Sequence, residues 1–573
     1  MSATTAAPTP EINLESDGLD RGVGFFGLLW TSTTSLIGSG WLLGAFTAVT
    51  LAGPAALLGW ILGSVIILVL ALIHAELGGL FPVSGGTSRY PHYAFGSFAG
   101  ATFGWASYLQ AAAVAPVEVI AAIQYLSAAS WAHFAHSWIK VDASTGGKSL
   151  SGVGIVAGII LLAAFVLVNM VGIRWLAKVT SAIALWKVFV PVLAVLILVI
   201  GYFHGGNLSA GGFFHGGVKA VFETLPGGII FSLLGFEQAL QIGGEASSPK
   251  VLVSATIVSI LIAAVLYVLI QLAFIVAMPT GFLAQVGNWG GLKGSKLPEA
   301  AAIAGAPFYT LTKLIGLGWL ATVLSIDGVI SPSGTGLAYN TATARLSFAL
   351  SRNGFAPKVL EKVSPATKIP WIGVLVSFVV GILFLLPFPS WYVLVNVITS
   401  ASVLMYAGAP VSLAALRKQK PDLARLYRLP AAAVVAPLGF VAAGWVIWFA
   451  GWETNSTLAV AMILGYVLLG ISGALKLNPD APKLDFRSAP WIIAWLLGSL
   501  LLSYLGPFGP GGIFGGLTHV LKHGGSGTIG LWLGLALDAL FSLAIFYWAV
   551  ATRLPEADVD HYVAEVYPPP VGE

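Results

Sequence analysis

Residues 25–46, Phe25 to Phe46, read FFGLLWTSTTSLIGSGWLLGAF. The stretch is apolar and long enough to cross a bilayer, which takes about 20 mostly apolar residues. Its middle is Ile37-Gly38-Ser39-Gly40. Each glycine in a helix interior costs about 1 kcal/mol relative to alanine. In hydrocarbon, backbone groups freed by a break must find other partners. A break here is tolerable only where it is buried in protein or lines a wet cavity. The candidate binding site of the chain therefore lies at residues 37–40.

The composition fits that setting. The chain's 573 residues are 57% hydrophobic and 9% charged, whereas a soluble domain carries about 25% charged residues. Such a chain cannot cover a water-facing surface, and it reads as a polytopic membrane protein embedded in a lipid bilayer. The 31 Phe, 19 Trp and 16 Tyr suit lipid-facing and interfacial positions. The absence of cysteine excludes disulfides, thiol catalysis and cysteine metal sites. No other metal site or cofactor motif is read, and nothing supports nucleic-acid binding. The first residues carry Glu11, Glu15, Asp17 and Asp20 and lack a basic start and an apolar core. They are expected to form a disordered tail (1–22) rather than a signal peptide.

Fourteen apolar segments are candidate transmembrane helices, at roughly 24–51, 54–80, 98–128, 151–172, 178–202, 218–243, 251–278, 310–350, 370–387, 391–415, 431–451, 455–476, 489–506 and 526–551. With a cytoplasmic N-terminus, 19 lysines and arginines fall on the inner side and 7 on the outer. Lys187 is left inside the membrane, which accounts for all 27. This obeys the positive-inside rule and puts both termini in the cytoplasm. Loop 279–309 is long, outer and glycine-rich, and it is expected to act as a lid or gate. Residues 23–415 are expected to form the core, in two halves at about 23–204 and 213–415. Helices eleven and twelve follow over 416–476, then a cytoplasmic linker (477–488), an appended helix pair (489–553) and a C-terminal tail (554–573).

A second span is interrupted. It runs Pro226-Gly227-Gly228, then Phe231-Ser232, Gly235-Phe236-Glu237-Gln238 and Gly243-Gly244-Glu245. Paired glycine-interrupted spans in corresponding positions of two halves point to a transporter binding site. The half-helix beginning near Gly40 directs free N–H groups into a cavity and favours an anion. The carbonyls left bare where the first and sixth spans stop favour an ammonium. An α-amino acid carries both groups. The substrate-binding candidates are Ile37, Gly38, Ser39, Gly40, Phe231, Ser232, Gly235 and Phe236. Glycine also serves close helix packing, and it is the pairing of the two spans that argues for a site.

These segments resemble the amino acid–polyamine–organocation (APC) transporter superfamily. Ile37–Gly40 resembles its first-span signature. Ala75-Glu76-Leu77, Phe81-Pro82-Val83-Ser84-Gly85-Gly86, Tyr90 and Ala94-Phe95-Gly96 resemble its segment between spans two and three. Phe231 to Glu237 resembles its sixth-span motif, and Arg345, Arg352–Pro357 and Pro370-Trp371 its segment after span eight. The resemblance runs from about 22 to 415. It implies an all-α, LeuT-like 5+5 inverted repeat with four extra C-terminal helices. The stretch Asp327 to Gly336 departs from the common pattern and looks similar to a branch that includes bacterial proton-coupled aspartate symporters.

Ionisable groups inside spans are functional candidates. Lys187, deep in the fifth span, is similar to a lysine of proton-coupled members, where the ammonium stands in the place of a sodium ion. Glu237 matches a glutamate that takes part in proton coupling in some relatives, and Phe231 a position where relatives hold an aromatic gate. Lys187, Glu237 and Asp327 are the proton-coupling candidates. Ser331, Ser333 and Thr335 form a polar site on span eight, expected beside Lys187. Glu118, after Pro116 on span three, has no face assigned by the sequence. His74 and Glu76 are expected to organise the inner loop, and Asp538 to serve packing or oligomerisation. The expected function is secondary active amino acid transport, proton-coupled symport by alternating access in the plasma or inner membrane. An exchanger for amino acids or polyamines, a sodium-coupled symporter and a channel-like facilitator are the alternatives. No H-E-x-x-H, G-x-S-x-G or P-loop motif points to an enzyme. The substrate side chain and the oligomeric state are left open.

Overall fold

The computed structural model describes residues 22–83, 85–141, 148–170, 173–295, 297–365, 367, 369–386, 390–509 and 524–566. Residues 1–21 of the expected N-terminal tail lie outside it, as do Arg21, Lys296, Lys368 and Lys522 of the charge count.

The chain is an all-α polytopic membrane protein. Its first apolar segment is two helices, α1 (Phe25–Leu36) and α2 (Ser39–Ala52), separated at Ile37 and Gly38. Then come α3 (Ala56–Leu80), a short α4 (Gly86–Phe95), α5 (Ser97–Ala128), α6 (Gly152–Met170) and α7 (Ile173–Gly201). A hairpin pairs Ile139–Val141 antiparallel with Lys148–Leu150 between α5 and α6. The sixth segment is broken more thoroughly. It comprises α8 (Gly217–Glu223), a wide turn over Leu225–Ile229, α9 (Ile230–Ser232), a non-helical stretch, and α10 (Glu237–Gln241). The long α11 (Pro249–Ala277) follows, started by Ser248, whose hydroxyl accepts the Val251 N–H at 3.4 Å, and by Pro249 in the first turn.

The segment expected as a loop over 279–309 folds into short helices α12 (Thr280–Gln285), α13 (Asn288–Gly294) and α14 (Pro298–Gly305), with Trp289 fully buried. The eighth span does not begin at 310. Residues Pro307–Leu314 form a separate α15, the chain turns at Gly316 (φ +81°), and α16 runs from Gly318 to Arg352. The glycine supplies the positive φ that a continuous helix cannot take. Then follow α17 (Trp371–Leu385), α18 (Trp391–Gln419), α19 (Ala432–Phe449), α20 (Gly451–Ala474), α21 (Pro490–Leu505), α22 (Leu531–Ala551) and α23 (Glu556–Val566). Among the described residues nine helices are long and apolar enough to cross a membrane, with α17 and α21 shorter apolar helices beside them.

Helices in lipid gain little from apolar burial against one another, so close approach at small residues holds them. α16 packs along α5 in this way. A Cβ on Gly328 would lie 2.3 Å from the Tyr125 ring, and one on Gly104 would lie 2.6 Å from Leu350. α11 packs against α1 and α3, and α18 against α5 and α19. The appended α21 and α22 pack against α19 and each other. Asp538 of α22 faces inward, with its carboxyl against Gly444 of α19. α23 lies against α4, with Tyr562 stacked on Tyr93 at 5.3 Å and the Leu554 N–H donating to the Ala94 carbonyl at 3.1 Å.

The basic face is tied together by a buried carboxylate. Glu76 of α3 accepts Arg417 Nε at 2.9 Å and Nη2 at 2.5 Å, pairs with Arg425 Nε at 3.1 Å, and takes the Leu429 N–H at 2.6 Å. Losing one partner of a buried ion pair costs about 3 kcal/mol or more. Arg417→Ala is therefore expected to lower stability by about 3 kcal/mol, since Arg425 still offsets part of the charge. Thermal unfolding in detergent checks this, and an unchanged midpoint would count against the cluster as a fastening of α3 to α18.

Candidate functional site

The two interruptions face each other. At the first, Ile37 (φ −94°, ψ 82°) and Gly38 (φ −115°, ψ −143°) leave the helical region. At the second, Gly235 has φ +133°. A Cβ on Gly235 would lie 2.7 Å from the Leu36 nitrogen and from the Ser35 carbonyl carbon. A Cβ on Gly40 would lie 2.4 Å from Ser232 Oγ and 2.8 Å from Ser232 Cα. Glycines thus permit each broken segment to touch the other's backbone. Ser32 stitches them further, donating to the Phe236 carbonyl at 3.1 Å and accepting the Ala239 N–H at 3.2 Å.

The backbone groups of Thr34, Leu36 and Ser39 at the break draw side chains from surrounding helices, as hydrocarbon requires. At the carbonyl end of α1, Lys187 Nζ donates to the Thr34 carbonyl at 2.5 Å and to Thr335 Oγ1 at 2.6 Å. Thr335 Oγ1 also lies 2.9 Å from the Thr34 carbonyl. Tyr267 donates its hydroxyl to the Leu36 carbonyl at 2.7 Å. At the amide end of α2, the Ser39 N–H donates to Glu118 Oε2 at 2.8 Å. A carboxylate from α5 therefore caps the helix start that the sequence reading reserves for a ligand anion. Ser39 Oγ accepts the Trp391 indole N–H at 2.8 Å.

Glu237 is fully engaged. Its carboxylate accepts the Gly235 N–H at 2.8 Å, Tyr406 at 2.6 Å, Tyr339 at 3.0 Å and Gln238 at 3.2 Å. Four donors make it the acceptor that holds the second break open. Asp327 accepts Trp41 Nε1 at 3.1 Å and the Ser331 hydroxyl at 2.7 Å. The polar residues of α16 thus divide: Thr335 meets Lys187, Ser331 turns to Asp327, and Ser333 is half-buried on another face.

Between the breaks lies a cavity of about 10 Å³, lined by Ser35, Gly38, Gly40, Glu118, Phe231 and Ser232 among others. That is room for about one water molecule. The Phe231 ring meets Trp391 edge to face at 5.6 Å and closes one side. On the basic side, the Gly22 and Val23 N–H groups donate to the Glu245 carbonyl at 3.2 and 3.1 Å. The Glu245 side chain pairs with Arg345 at 2.9 Å. Gly38, Gly40, Phe231 and Ser232 line the cavity. Ile37, Ser39, Gly235 and Phe236 build its frame, with the Phe236 ring stacked on Tyr406 at 4.9 Å.

Sequence reasoning leaves Glu118, Tyr267, Tyr339, Trp391 and Tyr406 unassigned. Glu118 alone gave a signal, as a carboxylate in the middle of an apolar helix. The aromatic residues gave none in a chain with 16 Tyr and 19 Trp.

The chain matches the amino acid permease family over residues 23–469. It is 32% identical to the glutamate/serine transporter AimA of Bacillus subtilis, over 93% of this chain and 94% of that one. It is 33% identical to the aspartate-proton symporter of the same organism, over 94% of this chain and 98% of the other. A methylthioribose transporter from that bacterium is 25% identical over 76% of this chain and 89% of its own. Two helices broken face to face, together with a match over most of its length, make this chain a member of the amino acid permease family, a family of transporters and not of enzymes.

Proposed function

We propose that this protein carries an α-amino acid, small or acidic, across the cell membrane together with a proton, by alternating access. Its core would be two inverted repeats, 23–204 and 213–415, with both termini cytoplasmic. The observation that carries the reading is the Lys187 ammonium seated on the Thr34 carbonyl and Thr335 Oγ1, at the broken end of α1. A sodium ion would want those same oxygens, and two cations in one place repel. An ammonium that gives up its proton releases the carbonyl end of α1, which couples proton transfer to movement of the helix. The substrate class rests on the relatives, one named for glutamate and serine and one for aspartate.

The substrate's amino group would sit at the carbonyl end of α1, where Ser35 and Leu36 line the cavity. Its carboxylate would approach the start of α2, which Glu118 already caps. Two carboxylates cannot share that position with both charges intact, so Glu118 takes up a proton or withdraws as the substrate arrives. A cavity the size of one water admits no amino acid until Phe231 and Trp391 part, or the Glu245–Arg345 side opens. That need for rearrangement supports an alternating cycle over a standing pore.

Glu118→Gln keeps an acceptor for the Ser39 N–H and removes the charge. It is expected to bind substrate with an affinity that varies less with pH than the parent's. An identical pH profile would remove Glu118 from the proposal. The reading as a whole is tested by uptake of labelled glutamate, aspartate and serine into proteoliposomes under separately imposed proton and sodium gradients. Accumulation driven by the proton gradient alone is expected. Accumulation driven only by sodium would overturn the coupling, and flux without accumulation would make the protein a facilitator.

A further inference from the structure

A second cavity lies outside the site, among α18, α20 and α21. Its volume is about 210 Å³, larger than the ~150 Å³ engineered cavity that takes up benzene. Leu404, Leu458, Met462, Leu496 and Leu500 give it apolar walls. Ile463, Ile493 and Leu497 on its rim are 59%, 45% and 62% exposed, on helix faces that meet lipid. An occupant therefore enters from the bilayer.

Three residues around this cavity carry buried polar atoms without a partner, Asn455 Oδ1, Ser499 Oγ and Trp495 Nε1. The orientation of the Asn455 amide is fixed, because its Nδ2 donates to the Ile447 carbonyl at 2.6 Å and to Ser503 Oγ at 2.8 Å. What remains is one acceptor, Asn455 Oδ1, and two donors, the Ser499 hydroxyl and, one turn deeper along α21, the Trp495 indole N–H. Unmet polar groups in hydrocarbon cost several kcal/mol each, so a ligand that meets Asn455 Oδ1 and the Ser499 hydroxyl is strongly preferred to a plain alkane.

Depth selects the ligand. Trp452 and Tyr504 meet edge to face at 5.0 Å at the start of α20 and the end of α21, the amphipathic rings that mark a membrane–water boundary. At a rise of 1.5 Å per residue, Asn455 lies about 5 Å and Ser499 about 8 Å inside that boundary. The ester and glycerol region of a lipid reaches this level.

We propose that the α18–α20–α21 cavity is a specific phospholipid site. One acyl chain fills the apolar part, an ester carbonyl accepts the Ser499 hydroxyl, and Asn455 Oδ1 accepts a hydrogen bond from the head group. That last contact demands a donor, which ethanolamine and glycerol head groups possess and choline lacks.

Native mass spectrometry of the full chain, delipidated in detergent and then offered phosphatidylethanolamine, phosphatidylglycerol or phosphatidylcholine, tests this. Retention of one ethanolamine or glycerol lipid about fivefold above the choline lipid is expected, the factor of one hydrogen bond. Ala459→Phe, which adds a ring to the cavity wall, is expected to abolish that retention, and Ala459→Leu to weaken it should the larger change prevent folding. Ser499→Ala is expected to weaken all three lipids alike. Equal retention of the choline lipid by the parent overturns the head-group contact. Undiminished retention in both Ala459 variants, or capture of detergent alone, overturns the site.

Discussion

Lys187→Ala is expected to lose concentrative uptake by about 10- to 100-fold, the factor of a charged hydrogen bond removed from a buried site. The side chain is fully buried, and its ammonium joins α7 to the broken end of α1 and to α16. Without it the Thr34 carbonyl keeps only Thr335, and nothing at that position takes or gives a proton. Substrate binding, measured as a ligand-induced rise in unfolding temperature, is expected to persist, because Lys187 does not line the cavity. The two measurements separate coupling from folding. Accumulation of substrate by the alanine variant under a proton gradient would take the lysine out of the mechanism.

Gly235→Ala is expected to destabilise the protein by about 2–4 kcal/mol and to remove substrate binding with it. Two effects add here. A φ of +133° is a backbone conformation that a side chain rarely adopts. The new methyl would also meet backbone atoms of Ser35 and Leu36, which cannot move without pulling the two breaks apart. Gly470→Ala is the control. Open space surrounds that position on α20, and the change is expected to be neutral or slightly stabilising, by up to about 1 kcal/mol. Equal unfolding midpoints for the two variants would mean that the contact between the breaks contributes nothing.

The frame around the site explains why its parts differ in legibility. Glu237 was visible as a carboxylate beside a glycine-rich break, yet its task depends on where Tyr339 and Tyr406 arrive from α16 and α18. Asp327 likewise stood out as an acid in a span. In the folded protein Trp41 and Ser331 hold it at the join between α2 and α16, outside the cavity lining. Glu118 is the converse case. Periodicity could not say which way it faces, because α5 is buried on nearly every side and carries no polar stripe to orient it.

The sequence alone determined the membrane class, the order of the apolar helices and the two places where helices stop. Composition, segment length and glycine content act locally, and hydrocarbon punishes any break that lacks a purpose. Only the tertiary structure decided which side chains answer the backbone groups those breaks release. Lys187 and Thr335 at one end, Glu118 at the other and the tyrosines between come from helices far apart in the chain. Their meeting depends on helix rotation and close packing, which no local pattern of residues encodes.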